Sequence, residues 1–357
     1  MPHQTLYHAL RPFIFKTNPE TAHNIVEFCS KIAPKIPSFL SFFSSKNCIY
    51  DAILNQEIDG MHFYNPVGLA AGFDKNAKMV ELLCALGFSH LELGAITPLA
   101  QSGNDKPRLW RHIQEESIQN AFGFNNEGVS AVNARLNKIF PFAIPLGINI
   151  GKNKTTPQEE AIKDYLSLAR HFMQSSDYLS VNLSSPNTPN LRDLQNENFI
   201  KELFLELCKV YHKPIYLKIA PDLEIDSALG LIEAAIHSGA KGIIATNTTL
   251  DYSLVAHPKD KGGISGKVLA PKSREMLRQI ALALKTKNQK TTLISVGGIA
   301  DAQEAYTRIR LGANLVQVLS ALIFEGPSLV RQINLGLKSH LERDGFNHIS
   351  EAIGVDL

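Results

Sequence analysis

The sequence has little cysteine and no pattern to it. Cys29, Cys48, Cys84 and Cys208 are scattered, with no CxxC pair and no Cys/His cluster at ligand spacing. That excludes a disulfide framework and a zinc site, and predicts free thiols in a reducing compartment and no metal. No apolar run approaches the roughly 18 residues of a spanning helix. Charge of either sign is not in surplus: 36 Lys and Arg against 34 Asp and Glu leave a formal +2. No global field therefore points to nucleic acid. The first residues lack a charged stretch running into an apolar one and are not rich in Arg and Ser. This predicts a bacterial-type cytosolic chain without a targeting segment.

What is present is a repeated alternation. From about residue 66, eight short apolar runs recur: Val67–Ala71, His90–Ala95, Ile144–Ile150, Tyr178–Leu183, Ile215–Ala220, Gly242–Asn247, Thr292–Gly298 and Leu315–Ser320. Most are rich in Val, Ile and Leu, as strands buried on both faces are. Helical patterns lie between them, over Ala77–Leu86, Glu127–Phe140, Pro157–Gln174, Glu197–Tyr211, Glu224–Ser238, Pro271–Lys287, Ala302–Leu311 and Gly326–Glu342. Thr156-Pro157 predicts an N-cap followed by Pro at N1. Eight βα units in order predict an α/β fold, a (β/α)8 TIM barrel. The alternative, an open doubly wound sheet, lacks its GxGxxG after the first run.

Two pieces precede the barrel. Cys48–Phe63 predicts a β-hairpin turning at Asp59-Gly60. Residues 1–46 predict two short helices, with Ala22, Ile25, Val26, Cys29 and Ile32 at helical spacing and Pro34 and Pro37 as interruptions before Phe39, Leu40, Phe42 and Phe43. This stretch carries Arg11, Lys16, Lys31, Lys35 and Lys46 against only Glu20 and Glu27. A small basic unit with an apolar face suits a membrane surface; a helical lid on the barrel is the plainer alternative. The expected units are residues 1–46, a barrel over 47–343 and a tail over 344–357. The long connection Thr97–Asn126, with its turn-rich Gly103–Pro107, is of a length that is usually functional.

In barrels the site forms at the C-terminal ends of the strands. There the sequence places Gly72 to Asn76, Ser184 to Thr188, Lys218, Thr246 to Thr249, Gly297-Gly298 and Leu319-Ser320. Two lysines (Lys75, Lys218) and several amides (Asn120, Asn149, Asn182, Asn187, Asn247) dominate, with few carboxylates and almost no histidine. Such a set suits a flat, polar, anionic ligand, since amides donate and accept together. Gly297-Gly298 after the seventh run is either a phosphate cradle or a plain turn. A lone Ser185 is either catalytic or turn chemistry, and either lysine is either functional or a rim ion pair.

Taken together, the motifs are specific. Gly68–Asn76 (GLAAGFDKN), Gly103–Arg111 (GNDKPRLWR), Asn120–Asn126, Gly147–Asn153, Val181–Pro189 (VNLSSPNTP), Lys218–Asp222, Ala245–Thr249, Gly262–Gly266 and Val296–Ile299 resemble class 2 dihydroorotate dehydrogenases. The resemblance runs from the N-terminal helices to about residue 335. It implies FMN-dependent oxidation of (S)-dihydroorotate to orotate in pyrimidine biosynthesis, one FMN per chain, and a membrane quinone (ubiquinone or menaquinone) as acceptor. It implies Ser185 as the base at C5, with hydride passing from C6 to flavin N5; relatives with soluble acceptors typically carry Cys there. It implies a substrate set of Lys75, Asn120, Asn187, Asn247 and Thr248 with Ala121, Phe122, Gly123 and Phe124. It implies an FMN set of Ala71, Gly72, Phe73, Asp74, Lys75, Ala95, Asn149, Asn182, Lys218, Thr246, Gly266, Gly298, Leu319 and Ser320. His23 and Arg111 match positions lining the quinone tunnel. The same resemblance implies a monomer held peripherally on the cytoplasmic face of the bacterial inner membrane.

Two positions depart from the pattern. Ala95 stands where many relatives have Thr or Ser beside the flavin, and Leu319 where Tyr is common. Three alternatives differ in testable ways. A dihydrouridine synthase would need a basic RNA-binding extension. A soluble dihydroorotate dehydrogenase would lack the N-terminal helices and Ser185. A non-catalytic barrel would bind a phosphate ligand without turnover.

Overall fold

The structure, a computed structural model, describes residues 6–36, 38–188 and 191–357. Pro37, and the Pro189 that closes one motif, fall outside them. Eight parallel strands close a barrel in sequence order: Val67–Leu69, His90–Ile96, Leu146–Ile150, Tyr178–Asn182, Ile215–Ile219, Gly242–Ala245, Thr292–Val296 and Leu315–Val318. The eighth pairs with the first, Val316 facing Val67. Seven strands sit within their predicted runs and end at most two residues before them, because the last residues of those runs belong to the loops that shape the site; the second runs one residue past its run, to Ile96.

The strands are buried on both faces. Outward residues such as Leu91, Ile148, Val181 and Ile243 pack against the helix ring with no exposed surface. Each large side chain so buried is worth roughly 1.5–3 kcal/mol. Inside, Met61, Phe63, Tyr178, Tyr216, Ile244, Ile294 and Leu315 form a second, smaller core at the barrel base. Two glycines make room for it. A Cβ on Gly68 would lie 2.0 Å from the His90 ring, and one on Gly147 would lie 2.0 Å from the Tyr178 ring.

The predicted hairpin plugs this base. Gln56–Ile58 pairs with Met61–Phe63, and Asp59 (φ 51°) and Gly60 (φ 76°) turn the chain with two positive φ angles. Asp59 is tied inward, accepting from the Tyr216 hydroxyl at 2.7 Å and Thr292 Oγ1 at 2.8 Å.

The N-terminal extension holds the two expected helices and one more: α1 (Leu6–Ile14), α2 (Pro19–Ile32) and α3 (Phe39–Asn47). Asn18 caps α2, accepting from the N–H groups of Glu20 and Thr21, with Pro19 at the first position. Among the described residues, no helix is long and apolar enough to cross a membrane.

Three sequence expectations change. Thr156 is not an N-cap: a short 3-10 turn, Gln158–Glu160, precedes the helix Ala161–Phe172, and the Thr156 hydroxyl donates instead to Asp164. The Thr97–Asn126 connection is not a plain loop, since Leu109–His112 and Ser117–Asn120 pair and Gly263–Gly266 joins as a third strand. The last helix starts at Leu329, because Gly326 (φ 83°) ends a separate short helix, Ser320–Glu325. The tail folds back: Ile349 and Ala352 are fully buried, and Arg310 pairs with Asp356.

Candidate active site

One cavity opens at the C-terminal ends of the barrel strands, with about 1450 Å³ of empty space counting its open mouth. Its floor holds Lys218, Asn182 and Gln317. The turn after the first strand supplies Ala71, Gly72, Phe73 and Lys75, and the second strand supplies Ala95. Asn120, Phe122, Gly123 and Phe124 come from the end of the Leu109–Asn120 hairpin. Ser185 and Asn187 follow the fourth strand, and Thr246, Asn247 and Thr248 follow the sixth. Gly266, Gly298, Leu319 and Ser320 close the far wall, and His23 of α2 reaches in from the extension.

Four of the residues singled out from the sequence are off the wall. Asp74 is buried beneath it and accepts from the backbone N–H groups of Asn76, Lys78 and Met79, so it shapes the Lys75 turn. Asn149 lies below the floor, its amide 2.6 Å from Glu92 Oε1. Ala121 is buried behind the hairpin end. Arg111 donates to the Thr17 carbonyl at 2.8 Å and stands over the Phe15 ring, so it joins the extension to the hairpin.

The amides hold one another in place. Asn187 Nδ2 lies 3.2 Å from both the carbonyl and Oδ1 of Asn120. Asn247 Nδ2 donates to Ser184 Oγ at 3.0 Å, and its Oδ1 accepts from the Thr248 N–H at 2.8 Å. Ser185 is almost fully buried, and its Oγ accepts from the Asn187 N–H at 3.3 Å. Beside it, Thr188 Oγ1 is buried with no partner among the described residues. Arg192 braces this loop, donating to the Ser184 carbonyl at 3.1 Å and to Asp222 at 3.3 Å.

The electrostatics are cationic and dry. Lys75 lies 4.1 Å from the Phe122 ring centre and makes no ion pair among the described residues. Burial brings its pKa down to about 8. Burial, then the charge of Lys75, pushes His23 down to about 4, so it is neutral at pH 7.

The donor set fits a planar, polar ring system carrying a phosphate. Gln317 presents a buried amide whose nitrogen and oxygen both lack partners. Lys218 has one bonded neighbour, Glu92, and N–H groups to spare. Where the seventh and eighth strands end, Gly298 (φ 78°) lets the turn lie against the backbone of Ala270, 2.5 Å from where a Cβ would sit, which side chains at that position would forbid.

Residues 53–341 match the family model described as dihydroorotate dehydrogenase. The chain belongs to the dihydroorotate dehydrogenase family. It is 52% identical over 351 residues to the dihydroorotate dehydrogenase (quinone) of Nitratiruptor sp., spanning 98% of this chain and 99% of that protein. It is 49% identical over 352 residues to the protein of the same name from Helicobacter acinonychis, with 99% of both covered. It superposes on a crystal structure of DHODH from Eimeria tenella in complex with ferulenol with a TM-score of 0.85, at 31% identity over 97% of this chain and 98% of that one. The family is a flavin-using one, and the match to quinone-named relatives includes the N-terminal helices.

Sequence reasoning missed Glu92, Gln317 and Arg192. Glu92 and Gln317 lie within strands, whereas only strand ends were searched. The signal was available: His90-Leu91-Glu92-Leu93 and Leu315-Val316-Gln317-Val318 alternate within strands otherwise buried on both faces, so the polar members point inward.

Proposed function

We propose that the chain binds one FMN, oxidises (S)-dihydroorotate to orotate and passes the two electrons to a membrane quinone, ubiquinone or menaquinone. The observation that carries this reading is a single cavity. It brings Ser185, the amide set and both lysines together, and it is reached by His23 of an extension whose outer faces are apolar.

Ala71 to Phe73, Lys75, Ala95, Asn182, Lys218, Thr246, Gly266, Gly298, Leu319 and Ser320 would hold FMN, with Gln317 added by its unmet amide. When bound, FMN accepts the hydride from C6. Asn120, Asn187, Asn247 and Thr248 would hold the ring edge of the substrate, while Lys75 faces its carboxylate. Ser185 Oγ would take the C5 proton. A serine hydroxyl is a weak base, so it must hand its own proton on. The buried Thr188 hydroxyl, without a bonded partner among the described residues, would relay that proton onward to water at the cavity mouth, accepting one proton and passing on its own. Lys218 would offset negative charge at the pocket floor, where burial makes that charge worth more than in water.

α1 and α2 expose Leu6, Leu10, Phe13, Ile25, Val26 and Phe28. Apolar faces on a basic unit favour contact with a membrane surface, where quinone is found.

The test is anaerobic bleaching of the FMN-loaded protein by dihydroorotate, followed by a soluble quinone analogue, fumarate or NAD in separate cuvettes. Reoxidation by quinone alone is expected. Reoxidation by fumarate or NAD would overturn the acceptor, and no bleaching would overturn the substrate. Ser185→Ala is expected to keep orotate binding and to lose at least a hundredfold in the rate of bleaching. Single-turnover bleaching at the parent rate would remove Ser185 from the base role.

A further inference from the structure

We infer that Glu92 is a positioning residue for the reaction, fixing the direction of Lys218 and setting a carboxylate against its ammonium at the pocket floor. The inference rests on the flavin reading above. Glu92 points into the barrel from the middle of the second strand and has no exposed surface. A carboxylate there is costly unless it is paired. Its Oε1 lies 3.2 Å from Lys218 Nζ and 2.6 Å from Asn149 Nδ2. Asn149 is itself held, reaching Ser180 Oγ at 3.1 Å and accepting from Asn182 Nδ2 at 2.9 Å. Both contacts fall on Oε1, which ties that oxygen between Lys218 and Asn149 and holds the ammonium from below; Oε2 is buried with no partner among the described residues.

Lys218 has no other bonded partner among the described residues, so its remaining N–H groups are free for the cavity it lines. Lys75 is the comparison within the same cavity. It has no carboxylate bonded to it, and burial brings it down to about 8. Lys218 differs from it in having a carboxylate, Glu92, within bonding distance. The other titratable groups that point into this part of the barrel are Tyr178 and His90. Burial pushes the Tyr178 hydroxyl far up and His90 down to about 3, so both are neutral at pH 7. Asn182 and Gln317 face the pair without charge. Among the described residues, the Glu92 carboxylate is thus the charged group bonded to Lys218, and it tempers the pull of that ammonium on an electron-rich ring.

Glu92→Gln keeps the shape and an acceptor oxygen but removes the charge. Lys218 then becomes a lone buried cation. The experiment is the midpoint potential of the bound FMN from pH 6 to pH 9 in parent and variant. At pH 6 the variant is expected to favour the reduced form at least tenfold more than the parent, a rise of about 30 mV for a two-electron couple. A variant that holds FMN with the parent's potential overturns the inference. A parent that takes up no FMN removes the flavin reading, and this inference with it. Should Glu92→Gln fail to fold, Glu92→Gln/Lys218→Met decides. A folded double variant shows that Glu92 is needed only as the counter-charge of Lys218, because no uncompensated charge is left buried. An unfolded one overturns the inference.

Discussion

Lys75 is placed to make binding depend on pH. It opens onto the cavity, lies against the Phe122 ring and has no carboxylate partner, and burial brings its pKa down to about 8. An anionic ligand favours the ammonium form. Below about pH 8 the charge is already present and affinity for orotate should be flat. Above it, binding must take up a proton, so the affinity should fall toward tenfold per pH unit. Calorimetric titrations with orotate at pH 7 and pH 9, in buffers of different ionisation enthalpy, check this. Equal affinities without proton uptake at pH 9 would refute it. Lys75→Met should bind weakly at both pH values. Lys75 was legible in the sequence because it stands just past a strand end. Glu92 and Gln317 were not, because a search of strand ends passes over mid-strand positions. Their inward direction follows only once the strand is known to be buried on both faces.

The N-terminal helices expose apolar side chains outward and are fastened to the elements around the cavity. α1 is fastened by Tyr7 and Arg11, which donate to the carbonyls of Ile323 and Phe324 in the short helix lining the cavity. α2 is fastened by Glu20, 2.8 Å from Arg108, and by Ser30 Oγ donating to the Lys78 carbonyl. None of these bonds involves Ser185 or the amide set. Deleting residues 1–46 should therefore leave bleaching by dihydroorotate within a few-fold of the parent while lowering quinone turnover at least tenfold and abolishing vesicle binding. Parent-level turnover with a quinone in vesicles would exclude the extension from electron delivery. The eight strands could be read from composition, since burial on both faces leaves short runs rich in Val, Ile and Leu. α1 could not, because Pro12 lies inside it and its stability comes from the contacts with Ile323 and Phe324. The hairpin Leu109–Asn120 was hidden too. Its strands alternate Trp, Arg, His and Gln, and Gly263–Gly266, its third strand, is far away in sequence.

The whole molecule should be sensitive to mild acid for a reason set by two histidines. His90 sits inside the barrel base against the Phe63 ring, with Nδ1 3.3 Å from Ser89 Oγ and Nε2 without a partner. Burial takes it down to about 3, and burial and Lys75 take His23 down to about 4. In the unfolded chain both titrate near 6.5. As pH falls through 6.5, the unfolded state takes up protons that the folded state refuses, so the stability held above that pH is progressively lost. The loss runs down to about pH 4 for His23 and about pH 3 for His90. Each costs at most about 1.4 kcal/mol per pH unit, with His23 contributing less because it borders the open cavity. The ion-paired carboxylates enter only at the acid end of this window, below their unfolded values of roughly 4. Glu275 and Asp344, at about 2, and the lowered Glu20 and Glu27 lose their contributions at lower pH. Urea unfolding at pH 7.5, 6 and 5 should therefore show falling stability before any of these carboxylates protonates. His90→Phe, which keeps a ring in the space above Gly68, should remove about one proton from the slope. A slope between pH 6 and pH 5 equal to the parent's would show that His90 takes up its proton without unfolding, and that the barrel base admits water.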